Sequence, residues 1–298
     1  MSAFRNIALI GFGEVGQTLA ADLAKTGASL SAYDILFSDP ASKPSQAVAA
    51  SSVRVAASAS DAARDAELVI SAVTAARDVE AAGSVLPGLD AGTFFLDVNS
   101  ASPNAKIASQ VVIDGAGGRY VEAAVMTPIH PHGVASYMLL GGPHAAGFIE
   151  RARPLGFMGE VFSDTVGKAS ATKMCRSVII KGMEALLSES MLAARHYGIE
   201  KTVLQSLSDL LPLPNWDKTA RYMISRSLEH GARRAEEMRE AAKTVDEAGI
   251  KPLMAEATAA RQDWSASHKN ALAKMGDLGA MLDAIRNDID KNSRGQAV

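Results

Sequence analysis

Gly11, Gly13 and Gly16 stand in the order Gly-Phe-Gly-Glu-Val-Gly, and an acidic residue, Asp34, follows roughly twenty positions later. This spacing suits a dinucleotide. The first glycine permits a tight turn, the second lets the backbone approach a pyrophosphate, and the third lets the following helix pack against its strand. The free N–H groups and positive dipole end of that helix favour phosphate oxygens. Gly11, Phe12, Gly13, Glu14, Val15 and Gly16 are therefore the candidate phosphate-binding residues. A carboxylate at Asp34 would accept hydrogen bonds from both hydroxyls of the adenosine ribose and repel a 2′-phosphate. No arginine follows it; Ile35-Leu36-Phe37 comes instead. NAD is expected over NADP.

Three further groupings could do chemistry. Asp97-Val98-Asn99-Ser100-Ala101-Ser102-Pro103 places small hydroxyl and amide groups where a strand ends, and Ser102-Pro103 also reads as the start of a helix. Lys173, Ser177, Lys181 and Glu184 follow one another at helical intervals and share one side of a helix, either as a functional face or as a solvated one with a Lys181–Glu184 pair. Arg221, Arg226, Arg233 and Arg234, with Tyr222 and His230, form a basic cluster. It either clamps an anion, best at His230 and Arg234, or is an exposed face neutralised by Glu229, Glu236 and Glu237.

The elements that must position these groups follow from apolar periodicity. Strands are expected at Ile7–Ile10, Ser29–Tyr33, Arg54–Ala56, Leu68–Ala72, Thr93–Asp97, Tyr120–Val125 and Tyr137–Leu140, with helical segments such as Gln17–Lys25 and Ala75–Val85 between them. This alternation implies βαβ units and a mostly parallel sheet. After about Ser163 the texture turns helical, with Met174, Val178, Ile179, Met183 and Leu186 as the apolar stripe of one long helix. Leu211-Pro212-Leu213-Pro214 breaks the pattern, Tyr222 to Ala248 resumes it, Gly249 caps it, and Asp288 to Val298 is expected to fray. The expected fold is an α/β Rossmann domain over 1–163 followed by an all-α domain over 164–298.

Bulk composition narrows the class. The 298 residues carry a net charge of −3, few aromatics and one cysteine. A nucleic-acid partner is not expected without a basic face. Neither is a disulfide, a metal site or a membrane span, and the single cysteine fits the cytoplasm.

On these motifs the chain resembles the β-hydroxyacid dehydrogenase superfamily, which holds 6-phosphogluconate and 3-hydroxyisobutyrate dehydrogenases and imine reductases. It is most similar to a phosphogluconate-dehydrogenase-like branch with its own C-terminal domain. Asp97 to Pro103 resembles the family's substrate pattern DxSTxxP, with Asn99 and Ser100 for Ser and Thr. Gly167-Lys168-Ala169-Ser170-Ala171-Thr172-Lys173 with Ser177 resembles GxGxxxKxxxN, with Ala169 for Gly and Ser177 for Asn. The resemblance implies that Lys173 is the general acid/base, assisted by Ser177, in a cleft between the domains. It implies that Ala72, Val73, Thr74 and Asn99 join the cofactor contacts, and that Ser100, Ala101, Met126 and Thr127 bind substrate; the helical spacing and the basic cluster add Lys181, His230 and Arg234 as candidate substrate contacts. The family's Ser-Gly-Gly loop is replaced by Met126-Thr127-Pro128-Ile129-His130-Pro131-His132-Gly133, and its late Lys-Asp pair by Glu236-Glu237.

The expected activity is hydride transfer between a nicotinamide dinucleotide and the hydroxyl- or carbonyl-bearing carbon of a small, anionic, 3-hydroxyacid-like substrate. The alternatives are an imine reductase, against which Lys173 counts, and a non-catalytic dinucleotide-binding regulator. Leu204, Leu207, Leu210, Leu211, Met223, Ile224 and Leu228 suggest more apolar surface than one bundle hides, and hence a homodimer through the C-terminal helices.

Overall fold

The structure, a computed structural model, describes residues 2–207 and 215–295. The chain forms two compact units, Met1–Met174 and Cys175–Val298. In the first unit the elements run β1 (Asn6–Ile10), α1 (Glu14–Ala24), β2 (Ser29–Tyr33), α2 (Lys43–Ala49), β3 (Arg54–Val55), α3 (Ala59–Ala63), β4 (Leu68–Ser71), α4 (Asp78–Ser84), β5 (Phe94–Asp97), α5 (Pro103–Gly115), β6 (Arg119–Val125), α6 (Ile129–His132), β7 (Met138–Gly141), α7 (Ala145–Ala152) and β8 (Gly159–Ser163). Helix α8 (Lys168–Tyr197) begins in the first unit and continues into the second, which adds α9 (Glu200–Leu207), α10 (Trp216–Glu247), α11 (Leu253–Ala266) and α12 (Leu278–Gly295).

The eight strands form one sheet in the order β3-β2-β1-β4-β5-β6-β7-β8. Neighbours are parallel except β6 and β7. Strands β4 and β5, Leu-Val-Ile-Ser and Phe-Phe-Leu-Asp, are buried along their whole length. Continuous apolar strands of this kind are what a parallel sheet covered on both faces requires. Successive residues point to opposite faces: Ile7 and Leu9 join Leu19, Leu23, Ile70 and Phe148 on one side, while Ala8 and Ile10 join Val69, Phe95 and Tyr120 on the other. Each fully buried leucine or phenylalanine contributes roughly 1.5–3 kcal/mol. The strand order reverses direction between β1 and β4. Open α/β sheets bind ligands in the crevice beyond the carboxyl ends of the strands at such a point.

Each of the seven expected strands is present within a residue or so at either end. Strand β8 is an eighth, at the sheet edge, and it lacks a period-two signal because Val161 and Phe162 are both exposed. The expected single helix after Lys168 ends at Tyr197, where Gly198 takes φ 71° before α9 begins. Its apolar stripe is also corrected. Met174 is buried, but Ile179 and Leu186 are exposed, whereas Lys181 and Glu184 are buried. The expectation of a frayed tail is overturned through residue 295, because Ile285 and Ile289 pack on the second unit's core and carry α12 onward.

That core is built from Met191, Leu204, Trp216, Ile224, Leu228, Met281, Leu282 and Ile285. Leu204, Ile224 and Leu228, expected as surplus apolar surface, thus face inward, and Leu207 and Met223 pack against them. Leu210, Leu211 and the segment through Pro214 lie outside the described residues. Among the described residues no helix is long and apolar enough to cross a membrane.

Candidate functional site

Between β1 and α1 the three glycines serve different needs. Gly11 takes φ +92°, and a Cβ there would stand 2.4 Å from the Ala72 carbonyl oxygen. At Gly16 it would stand 2.2 Å from the Gly11 carbonyl oxygen. Both are therefore fixed by the protein's own packing. At Gly13 an added Cβ would meet no atom within 4 Å, so the chain's packing does not explain this glycine. Gly13 is also the N-cap of α1 and offers no side-chain cap. The helix's first-turn N–H groups have no intrahelical partners. Open space in front of uncapped N–H groups fits a pyrophosphate.

The side chains of Phe12 and Val15 support the loop from within. Phe12 is buried, with its ring 5.9 Å from that of Phe37. Val15 packs on the same core, and Glu14 is exposed. The Phe12 N–H donates to Asp34 Oδ2 at 2.6 Å, and the Leu36 N–H donates to Asp34 Oδ1 at 2.9 Å. Asp34 thus ties the glycine loop to the turn after β2. Each carboxylate oxygen keeps a second lone pair for a hydroxyl donor.

Across the crevice, Ala72, Val73 and Thr74 leave the end of β4, where the Ala72 N–H donates to the Ile10 carbonyl at 2.8 Å. The Val73 N–H donates to Asn99 Oδ1 at 2.7 Å. Asn99 Nδ2 donates to Ser71 Oγ at 2.9 Å and to Asp78 Oδ1 at 2.6 Å. With both amide hydrogens used and the side chain buried, Asn99 shapes the β4 loop from within. Ala101 is fully buried, so its side chain packs inside the domain. Ser102 accepts the Ala105 N–H at 3.4 Å and caps α5. Ser100 remains, half-buried, and Lys173 Nζ donates to its Oγ at 2.7 Å. Met126 is half-buried beside Ala124, Leu139 and Ala169, and the exposed Thr127 accepts the Tyr137 N–H through Oγ1 at 3.0 Å.

The start of α8, which carries Lys173, is anchored by a residue that motif reading passed over. Glu122, fully buried on β6, accepts the Gly167 N–H at 2.8 Å through Oε2 and the Ser170 N–H at 2.6 Å through Oε1. A carboxylate here satisfies two helix-start donors and complements the dipole. Gly141 leaves room for it, since a Cβ at 141 would stand 2.4 Å from Glu122 Oε2. The available signal was a carboxylate inside a buried parallel strand.

Beside Glu122 in register lies Asp97 at the end of β5. Its Oδ1 accepts Lys106 Nζ at 2.5 Å and the Asn99 N–H at 3.0 Å, and its Oδ2 accepts the Tyr120 hydroxyl at 2.7 Å. Burial alone would push the Lys106 amine down, but Asp78 and Asp97 together leave it above the ordinary lysine value. Burial, followed by Asp97 and Asp78, holds the Tyr120 phenol well above its usual range. Lys106 shares the inward side of α5 with Ser109 and Ile113, and a lysine at that spacing was the overlooked sign of a buried ion pair.

In the second unit the expected basic cluster is neutralised. Lys181 donates to Glu237 and lies 3.4 Å from Ser177 Oγ. Arg234 pairs with Glu184, which also accepts Gln262 Nε2 at 3.2 Å. Arg233 pairs with Glu237, and Arg226 with Glu229 at 3.2 Å. The expected Lys181–Glu184 pair is replaced by these partners from α10, which no local spacing reveals. Burial lowers the Lys181 amine against the pull of Glu237. His230 is lowered by burial and then by Arg226; its Nε2 lies 3.2 Å from Glu229 without forming a hydrogen bond.

Sheet order, glycine loop and crevice define a dinucleotide-binding Rossmann domain followed by a helical unit. Residues 6–167 match the family described as the NAD binding domain of 6-phosphogluconate dehydrogenase, and residues 194–265 match a domain of unknown function (DUF1932). The chain belongs to the former family, and with it to the β-hydroxyacid dehydrogenase superfamily. A mitochondrial 3-hydroxyisobutyrate dehydrogenase of Drosophila melanogaster is 26% identical over 208 residues, 68% of this chain and 62% of the fly protein. The chain thus matches less than two thirds of that relative's length. A structure described as a conserved hypothetical protein of Sinorhizobium meliloti 1021 is 34% identical, covering 94% of this chain and 95% of that one, with a TM-score of 0.74. Another conserved protein, described as structurally similar to 3-hydroxyacid dehydrogenases, is 28% identical, covering 88% and 96%, with a TM-score of 0.69.

Proposed function

We propose that this protein is a nicotinamide-dependent dehydrogenase that oxidises the CH–OH group of a small, anionic 3-hydroxyacid, or reduces the corresponding carbonyl, with Lys173 as general acid/base. The observation that carries this reading is the 2.7 Å hydrogen bond from Lys173 Nζ to Ser100 Oγ. It sets an amine and a hydroxyl together at the carboxyl end of β5. When bound, the dinucleotide accepts or supplies the hydride. Lys173 handles the proton. As a neutral amine it takes the proton of the substrate hydroxyl during oxidation, and as an ammonium it returns one to the nascent alkoxide during reduction. Ser100 fixes the direction of the lysine and donates or accepts a hydrogen bond at the substrate oxygen. Asn99 and Val73 shape the cofactor side, and Glu122 holds the helix start.

Asp34 supports NAD rather than NADP, because its carboxylate would repel a 2′-phosphate. Assembly as a homodimer through the second unit is part of the same proposal. It is supported by the exposed apolar residues Ile179, Ile180, Leu186 and Tyr222 rather than by the leucines that entered the core. The test is a screen of 3-hydroxyacids with NAD and of 3-oxo acids and aldehydes with NADH, followed by cofactor absorbance. Turnover restricted to anionic 3-hydroxyacids or their oxo forms supports the proposal. Tight NADH binding without turnover of any acceptor would instead indicate a non-catalytic binding protein.

A further inference from the structure

Asp78 lies at the start of α4, one turn beyond the β4 loop, with 2% of its surface exposed. Its Oδ1 accepts Asn99 Nδ2 at 2.6 Å, and its Oδ2 lies 3.4 Å from the Ser109 hydroxyl. Asn99 in turn holds the Val73 N–H through Oδ1. An unbroken chain of hydrogen bonds therefore runs from a buried carboxyl group to the backbone of the loop that faces the crevice. We propose that Asp78 is a positioning residue for that loop, and that its ionisation, transmitted through Asn99, makes nicotinamide-dinucleotide affinity rise with pH. The inference rests on the reading that Ala72–Thr74 line the dinucleotide site.

The ionisable groups that surround Asp78 come from three elements. Lys106 on α5 favours its charge, Asp97 on β5 opposes it, and Tyr120 and Glu122 on β6 complete the layer. On the other side of α4's start, Arg77 is paired with Glu80 at the surface, 2.5 Å apart. Burial, the largest influence, together with Asp97, outweighs Lys106 and raises Asp78 to about 7. The ionised carboxylate accepts the Asn99 amide as a charge-assisted bond, which is shorter and roughly twice as strong as a neutral one. A held amide keeps Oδ1 on the Val73 N–H. Protonation, which the neighbouring Asp97 favours, leaves only a neutral acceptor for the Asn99 amide and so weakens that hold. The direct field of an ionised carboxylate on an anionic cofactor would act with the opposite sign, so the direction of the pH effect separates positioning from simple repulsion.

The experiment is titration of the full-length protein with NADH, read by cofactor fluorescence, from pH 6 to pH 8. If the ionised form is the binding-competent one, its fraction rises about tenfold over that interval and the dissociation constant falls by about the same factor. Asp78→Asn keeps an acceptor for Asn99 but does not titrate, so its dissociation constant should stay within about twofold across the range. Asn99→Ala should bind more weakly and also lose the pH dependence, although Asp78 still titrates. Lys106→Met should move the midpoint to higher pH, provided thermal melting shows that it folds. Pending that, Asp78→Asn and Asn99→Ala carry the test. NADH binding that is independent of pH, strengthens towards pH 6, or keeps its pH dependence in Asp78→Asn would overturn the inference while leaving the dehydrogenase reading intact. Failure to bind NADH at any pH would overturn both.

Discussion

Glu122→Gln isolates the anchor beneath Lys173. In the native protein two backbone donors, Gly167 and Ser170, converge on one buried carboxylate at 2.8 and 2.6 Å. Hydrogen bonds to a charged group contribute about 1.5–3 kcal/mol each. Glutamine keeps one acceptor, but its NH2 group faces the second N–H, so one bond is lost and one buried donor is stranded. The local cost is about 2–4 kcal/mol. The loss falls on the first turn of α8, with Lys173 three residues beyond Ser170. A misplacement of about 1 Å can reduce turnover by about 10²-fold. Glu122→Gln is therefore expected to lower kcat by roughly 10- to 100-fold, while NADH affinity changes little. Hydrogen exchange at the amides from 167 to 173 should accelerate with no substrate required. Gly141→Ala supplies an independent perturbation, because its Cβ would intrude to 2.4 Å from Glu122 Oε2 without removing the charge. It should reproduce the exchange pattern. Native exchange rates at 167–173 in Glu122→Gln would refute the anchoring argument.

Three other outcomes follow from the same structure. Asp34→Ala should narrow the preference for NADH over NADPH by admitting the 2′-phosphate. Comparable dissociation constants for the two cofactors in the unmutated protein would contradict the role given to Asp34. Light scattering at micromolar concentration should report a dimer, and Ile179→Glu with Leu186→Glu should shift it towards monomer; a monomeric unmutated protein would rule out the proposed interface. Asp78 is raised from 3.8 to about 7, so the folded state holds its proton more tightly than the unfolded chain. The stability this contributes is complete below about pH 4 and is lost as pH rises through about 7. The loss is roughly 3–5 kcal/mol, since each tenfold gain in proton affinity on folding is worth about 1.4 kcal/mol. Asp78→Asn should flatten that slope in denaturation experiments followed by hydrogen exchange in β4 and β5. Trp216 and Trp264 both lie in the second unit and would not report it.

The parallel core was legible because buried strands such as Leu68–Ser71 are continuous apolar runs bounded by turns, and because the glycine loop fixes a strand before it and a helix after it. Strand β8 was not, because an edge strand with adjacent exposed Val161 and Phe162 carries no alternation. The candidate site was legible where one motif holds the whole device, as in the glycine turn from Gly11 to Gly16. It was obscure where function depends on partners distant in sequence. Glu122 meets Gly167 and Ser170 only after the sheet has formed, and Lys106 meets Asp97 across the β5–α5 turn. In the second unit, spacing along α8 correctly grouped Lys181 with Glu184, but their charge partners lie some fifty residues away on α10. Only tertiary packing decides whether such a face meets water.

The central claim is that Lys173 moves the proton in a hydride-transfer reaction, and Lys173→Met tests it most directly. Methionine keeps the apolar stem and removes only the amine. With the substrate identified by the screen, the expected result is a fall in kcat of about 10²–10⁴-fold, as for loss of a general acid/base, with NADH affinity preserved. Turnover by Lys173→Met at the unmutated rate would contradict it.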